Sequence, residues 1–431
     1  MMNQVQQMMS QMGLGALFGG QQPEPGAQWE PIRDIARRTV AAQGSDPSTS
    51  ASQLNELRDT VRLADTWLDQ ATTFPATGGA VAVWSRAEWV ENTMPTWRRL
   101  IEPVADAMSE AMTESVAGGE AESPIPGLDA LLKPWLKSSG STIFGLQAGQ
   151  AIGTLAGAVL SATETGLPLT GTQEHTLALV PTNVAAFAEG LDQSAHDVRL
   201  YLTLREGARQ RLFAATGWLG PQLLTLVENY ARGITIDLSS LESAMGSFDL
   251  ANFNPESMKE MSEQLQGSLF EPKQTPEQLA VLEQLEALLA LIEGWVDEVV
   301  AQATAQWMPN AVALAETMRR RRATSGPTEA TFNALVGLEL RPRRLRDAAN
   351  LWAALREARG AEGRDAVWSH PDVAPTARDL DDPLGFVNTD REQADEPADN
   401  LDAELAKLLD QAERERDAEE RGDDAGPSSD G

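Results

Sequence analysis

The segment that most constrains the fold runs from Thr275 to about residue 304. Leu279, Leu282, Leu285, Leu289, Ile292, Val296 and Val299 recur there at three- and four-residue intervals, the period of a helix with one buried stripe. Thr275-Pro276-Glu277-Gln278 stands in front of that run, a capping box with proline at the first helical position. A helix of this length needs a large body to bury it, and the chain supplies further helical periodicity at 30–42, 51–72, 85–117, 195–215, 221–232 and 343–359. Alternating or β-branched runs are scarce, and only 175–180 and 234–238 read as strands, both short. The pattern predicts a mainly α fold, a large multi-helical body with at most a few short strands.

Breaks rich in Gly and Pro or in Met and acid fall at 118–127, 165–172 and 240–272. None reads as a long flexible linker, so one body at 27–390 is expected, with lobes at about 27–136, 137–240 and 273–390. Residues 1–26 form a Met- and Gln-rich segment expected to be disordered; the first 23 carry no charge and lack the basic n-region of a secretory signal. A cytoplasmic location is the default expectation. Residues 391–431 hold 15 acidic and 5 basic side chains, and this tail is expected to be largely disordered, with Leu401, Leu408 and Leu409 able to support one helical stretch.

One helical segment has a face without side chains. Gly145, Gly149, Gly153 and Gly157 lie four apart in STIFGLQAGQAIGTLAGAVLSA. In a membrane such spacing brings helices into close contact, but Gln147 and Gln150 interrupt the run and no basic cluster flanks it. A buried helix pressed against a neighbour is expected, and no membrane span.

Charge and residue inventory narrow the chemistry. The net charge is −30, and a cationic face for nucleic acid is not to be expected on the body as a whole. With no Cys, thiolate nucleophiles and sulfur-ligated zinc are excluded. The histidines are His175, His196 and His370. Eight arginines crowd residues 319–346 against Glu329 and Glu339, readable as an anion site or, preferably, as cationic helix ends. Trp84, Trp89 and Trp97 at helical spacing are expected in the core rather than around a ligand.

The segment SAHDVRLYLTLREGARQRLFAATGW opens with a Ser-x-x-Asp cap and reads as an amphipathic helix with Arg205-Glu206-Gly207-Ala208-Arg209 at its middle. Together with QWEPIRDIARRTVA, WLDQATTFPA, WSRAEWVENTMPTW, the glycine helix, LIEGWVDEVV, GLELRPRRLRDAANLW and GRDAVWSHPDVAPTARDLDDPLGFV, it resembles an actinobacterial family of zincin-like, zinc-dependent metalloproteases or hydrolases of undefined function. The resemblance runs from about Trp29 to Val387, and implies a zincin-like body. In members with an intact motif that helix carries H-E-x-x-H, two imidazoles for Zn²⁺ and a glutamate as general base. The resemblance places Arg205 and Arg209 at the two histidine positions, Glu206 at the vestigial base position, and Glu293 of Glu293-Gly294-Trp295 at the third ligand.

A guanidinium has no lone pair for a metal and stays charged in proteins. Two of them beside a divalent ion would repel it by about 8 kcal/mol each at ~4 Å and an effective dielectric of ~20. His196 lies nine residues before Arg205, on the opposite helix face; His370 with Asp372 is a remote substitute that reads better as a loop cap. No cofactor is expected, although the family implies zinc. Arg205 and Arg209 are one turn apart, as are Glu293 and Asp297, so guanidinium–carboxylate pairs between the two helices are the expected filling of the site; arginines that merely reach solvent are the alternative.

Three functions stay open. The chain is a catalytically inactive pseudo-metallopeptidase that binds an unknown protein or peptide partner; or an active zinc-dependent hydrolase with a displaced metal site or metal-free chemistry around Glu206; or the structural partner of an active paralogue, paired through the glycine face.

Overall fold

A computed structural model describes residues 29–118, 144–173, 175–233, 275–323, 327–336 and 344–388. The Met-rich segment, the acidic tail and the strand expected at 234–238 lie outside these residues.

Helices dominate the described chain. They are α1 (Trp29–Ala42), α2 (Ala51–Leu68), α3 (Arg86–Gly118), α4 (residues 144–156), α5 (Pro181–Ala188), α6 (Ala195–Ala215), α7 (Leu219–Arg232), α8 (Pro276–Thr304), α9 (Ala311–Ala323), α10 (Pro327–Val336), α11 (Leu345–Ala366), α12 (Ala377–Asp381) and α13 (residues 383–388). Among the described residues, no helix is long and apolar enough to cross a membrane.

Local chemistry sets the boundaries. Ser50 and Gln53 close a capping box on α2, and Thr275 and Gln278 close the one on α8. Helix α2 stops at Leu68, four residues short of the expected end, because the next residues turn toward a buried carboxylate: Thr72 Oγ1 and the Thr73 N–H donate to Asp365 at 2.6 and 2.8 Å. The expected end of α11 at Arg359 meets a break in the helix at Gly360, whose φ of +72° a side chain would resist.

The strand expected at 175–180 is β2 (Leu177–Leu179), and its partner β1 (Val81–Val83) gave no sequence signal. They pair in parallel, Val81 opposite Leu177 and Val83 opposite Leu179. On the other side of β2, Ser161 bridges Leu179 in the antiparallel sense, supported by Ala162 N–H to Ala178 C=O at 3.0 Å. Three residues per strand are too few for a legible period.

Two helices form the centre. Val198 and Leu200 through Phe213 of α6 are all buried, and so are Ala287 through Val296 of α8. The amphipathic reading of α6 is therefore corrected: its polar residues are inside, satisfied by partners rather than by water. Trp84, Trp89 and Trp97 are in the core, with Trp97 5.4 Å from Phe332 between ring centroids.

The glycine face of α4 is covered by α1 of the same chain. A Cβ on Gly149 would lie 2.7 Å from the Ile32 carbonyl oxygen, and one on Gly153 would lie 2.5 Å from that of Ala36. That face is spent inside the body, which removes it as the surface for pairing with a paralogue.

Candidate ion-pair site

The site lies between α6 and α8. Glycines seat each of the two helices closely on its other neighbour: a Cβ on Gly294 would come within 2.7 Å of Ala348 and of the Ala349 nitrogen on α11, and one on Gly207 would come within 3.1 Å of Leu68 on α2. With α8 pressed on α11 and α6 pressed on α2, the polar residues at matching heights meet in the gap.

Arg205 donates through Nη2 to Glu293 Oε2 at 2.9 Å and through Nη1 to Asp297 Oδ1 at 2.5 Å. Arg209 donates through Nε to Glu293 Oε1 at 2.8 Å and through Nη1 to Glu206 Oε2 at 3.1 Å. The structure thus brings Arg205, Arg209, Glu206, Glu293 and Asp297 into one cluster. Arg205 and Arg209 are only 2 % and 1 % exposed, and Glu206 is fully withdrawn from solvent. Tyr201, one turn before Arg205, accepts from its Nη1 at 3.4 Å.

Glu206 is surrounded by donors. Ser161 Oγ reaches its Oε2 at 2.7 Å, Thr163 Oγ1 at 2.8 Å and the Thr163 N–H at 3.3 Å, while Gln210 Nε2 reaches Oε1 at 2.9 Å. Ser161 bridges β2 and Thr163 lies in the turn that follows it, and that turn brings both hydroxyls onto the same carboxylate oxygen. Both hydroxyls and the Arg209 guanidinium fix this carboxylate from several directions.

Sequence reasoning missed Arg322. The last turn of α9 carries it to Glu293, where Nη1 donates to Oε2. Its visible signal was the run Arg319 to Arg322, read as cationic helix ends; each of the four meets an acid, Arg319 and Arg320 at Glu316, Arg321 at Glu164 and Arg322 at Glu293. The buried cations Arg205, Arg209 and Arg322 equal in number the acids Glu206, Glu293 and Asp297, and the half-exposed Arg319 stands at the edge, 3.9 Å from Asp297.

Burial disfavours the charge on Glu293, but Arg209, Arg322 and Arg205 together outweigh it and hold the carboxyl down at about 2. Burial also lowers Arg322, only partly offset by Glu293. For Arg205 burial works against the charge, and the nearby Asp297, Tyr201 and Glu293 overcome it and raise the group.

A second buried pair braces α8 beside the site. Arg364 and Asp365 are within 2.8 Å, Asp365 accepts from Trp295 Nε1 at 3.0 Å, and Arg364 donates to the Ala71 carbonyl at 2.8 Å. Trp295 is two residues from Glu293, so this pair fixes the height at which that carboxylate is presented.

The residues present do not fit zinc. The nitrogens around Glu293 belong to guanidiniums, which are donors without a lone pair, and both carboxylate oxygens already accept from them. Among the described residues, no three His, Cys, Asp or Glu side chains converge to hold a metal ion. His370 is exposed and contacts Asp372 at 3.3 Å, and His196 is exposed at the start of α6.

A family model described as zincin-like metallopeptidase matches residues 27–387. Among solved structures, the chain is similar to that of a "putative hydrolase with a novel fold" from Chloroflexus aurantiacus. The two are 21 % identical with a TM-score of 0.56, over 84 % of this chain and 98 % of that one. At this identity the likeness is one of fold. No curated protein matched.

Proposed function

The chain belongs to the zincin-like metallopeptidase family, and we propose that it is a member without zinc and without peptidase chemistry, serving as a binding module. The observation that carries this reading is the Glu293 carboxylate, both of whose oxygens accept from the guanidiniums of Arg205 and Arg209. Those arginines stand one turn apart, where a zincin needs two imidazoles facing an acid. Three cations and three anions neutralise one another in place of a metal and its ligands.

Glu206 supports the same reading. A general base must reach a water beside the reacting centre, whereas this carboxylate is fully buried and accepts from Ser161, Thr163, Arg209 and Gln210. Its role is to anchor α6 to the bridge and turn at 161–163.

A binding role then belongs to surfaces outside the cluster. A groove of about 430 Å³ is lined by Trp218, Gln222, Leu288, Ala374 and Arg378, among others, a size that suits a side chain or short peptide segment. The test is hydrolysis of an unfolded protein substrate by the full chain, with and without added zinc, beside Glu206→Gln. Cleavage absent from all samples agrees with the proposal; cleavage lost in Glu206→Gln would defeat it.

A further inference from the structure

We propose that Arg322 excludes metal in its own right: with histidine at both 205 and 209, Glu293 would still be held by the Arg322 guanidinium, and zinc would bind tightly only once that arginine is also removed. This rests on the zinc-free reading above and extends it to a residue on α9, an element outside the helix pair that carries the motif positions.

Arg205 and Arg209 both bond Glu293, so imidazoles at those positions would face that carboxylate and complete a His, His, Glu set of the kind that holds catalytic zinc. The carboxylate would not be free, however. Arg322 Nη1 donates to Oε2, the oxygen that Arg205 also uses, and removing the Arg205 and Arg209 donors leaves Arg322 as the sole partner among these three. Its side chain is 15 % exposed. Its Nη2 is buried with no hydrogen-bond partner in the structure, so Glu293 is the acceptor that holds the group in place.

A monovalent cation ~4 Å from Zn²⁺ at an effective dielectric of ~20 weakens binding by on the order of a million-fold. Movement of Arg322 toward solvent relieves part of this, and a loss on the order of a hundredfold or more is expected to remain. Arg319 differs: it is about half exposed and 3.9 Å from Asp297, with room to withdraw.

The experiment compares zinc affinity, by competition with a chromophoric chelator, for the full untagged chain, Arg205→His/Arg209→His, and the same double variant with Arg322→Leu. Circular dichroism checks folding. The triple variant should bind about a hundredfold tighter than the double variant, or more, with the parent chain not binding. Equal affinities of double and triple variants would overturn the role of Arg322, and so would a folded triple variant that does not bind. If Arg322→Leu prevents folding, Arg322→Gln, neutral but polar, takes its place, and the same two outcomes would overturn the role. Tight zinc binding by the parent chain contradicts the zinc-free reading itself, a separate outcome.

Discussion

Arg209 and Glu293, 84 positions apart in the chain, meet Nε to Oε1 at 2.8 Å with the Arg209 side chain almost wholly out of solvent. An ion pair withdrawn this far from water is sustained by its geometry and by additional hydrogen bonds, because desolvation opposes it. Arg209 also bonds Glu206, and Glu293 also bonds Arg205 and Arg322. Arg209 and Glu293 therefore each satisfy more than one neighbour, and removal of either one weakens the others' pairing.

Glu293→Gln takes one acid from each of three guanidiniums: Arg205 keeps Asp297 and Arg209 keeps Glu206, while Arg322 loses its acid partner. The variant should lose about 3–5 kcal/mol of stability, the usual cost of breaking a buried pair from one side, measured by urea denaturation. A loss below ~1 kcal/mol, the range of exposed pairs, would mean that the cluster is loosely solvated rather than closed.

How far the sequence foretold this arrangement differs from residue to residue. The four-residue spacing of Arg205 with Arg209 and of Glu293 with Asp297 pointed to two helix faces meeting, since side chains one turn apart share a face. The long helix α8 was legible from its capping box and leucine stripe. Arg322 was not: it arrives from α9, an element without its own hydrophobic period in the sequence reading, and no local rule states which distant acid a helix-end arginine will reach. Strand β1 was hidden for a similar reason, as its three residues are defined by pairing with β2. The burial of α6 ran against the polar pattern, because the polar and small residues around Glu206 look solvent-facing until their partners on α8 and at 160–163 are known.

Acid stability should depend on Glu293. Its carboxyl titrates at about 2 in the folded chain and near ~4.3 when unfolded, so the folded state resists protonation. The resulting stabilisation, about 3 kcal/mol, is fully present above ~4.3 and is lost as pH falls towards ~2. In Glu293→Gln this part of the pH dependence should vanish. Parallel stability curves for the parent chain and the variant between about pH 5 and about pH 2 would contradict the assignment.

The glycine face of α4 predicts a steric effect. Gly153→Ala would place a methyl 2.5 Å from the Ala36 carbonyl oxygen and 2.6 Å from Thr39 Cβ, forcing α1 and α4 apart at a cost of about 1–3 kcal/mol. Gly217→Ala, with nothing within 4 Å of its Cβ, serves as the control and should stay within ~0.5 kcal/mol of the parent chain. Equal melting temperatures for both variants would show that α4 does not pack against α1 this closely.

The central claim is that buried guanidiniums stand where a zincin holds its metal. Its most direct test is the zinc content of the full chain, purified without a His tag, incubated with zinc and passed through a desalting column, then read by elemental analysis against protein concentration. Zinc well below one equivalent, unchanged between the parent chain and Glu293→Gln, is the predicted result. One equivalent of zinc retained by the parent chain and lost in Glu293→Gln would contradict the account.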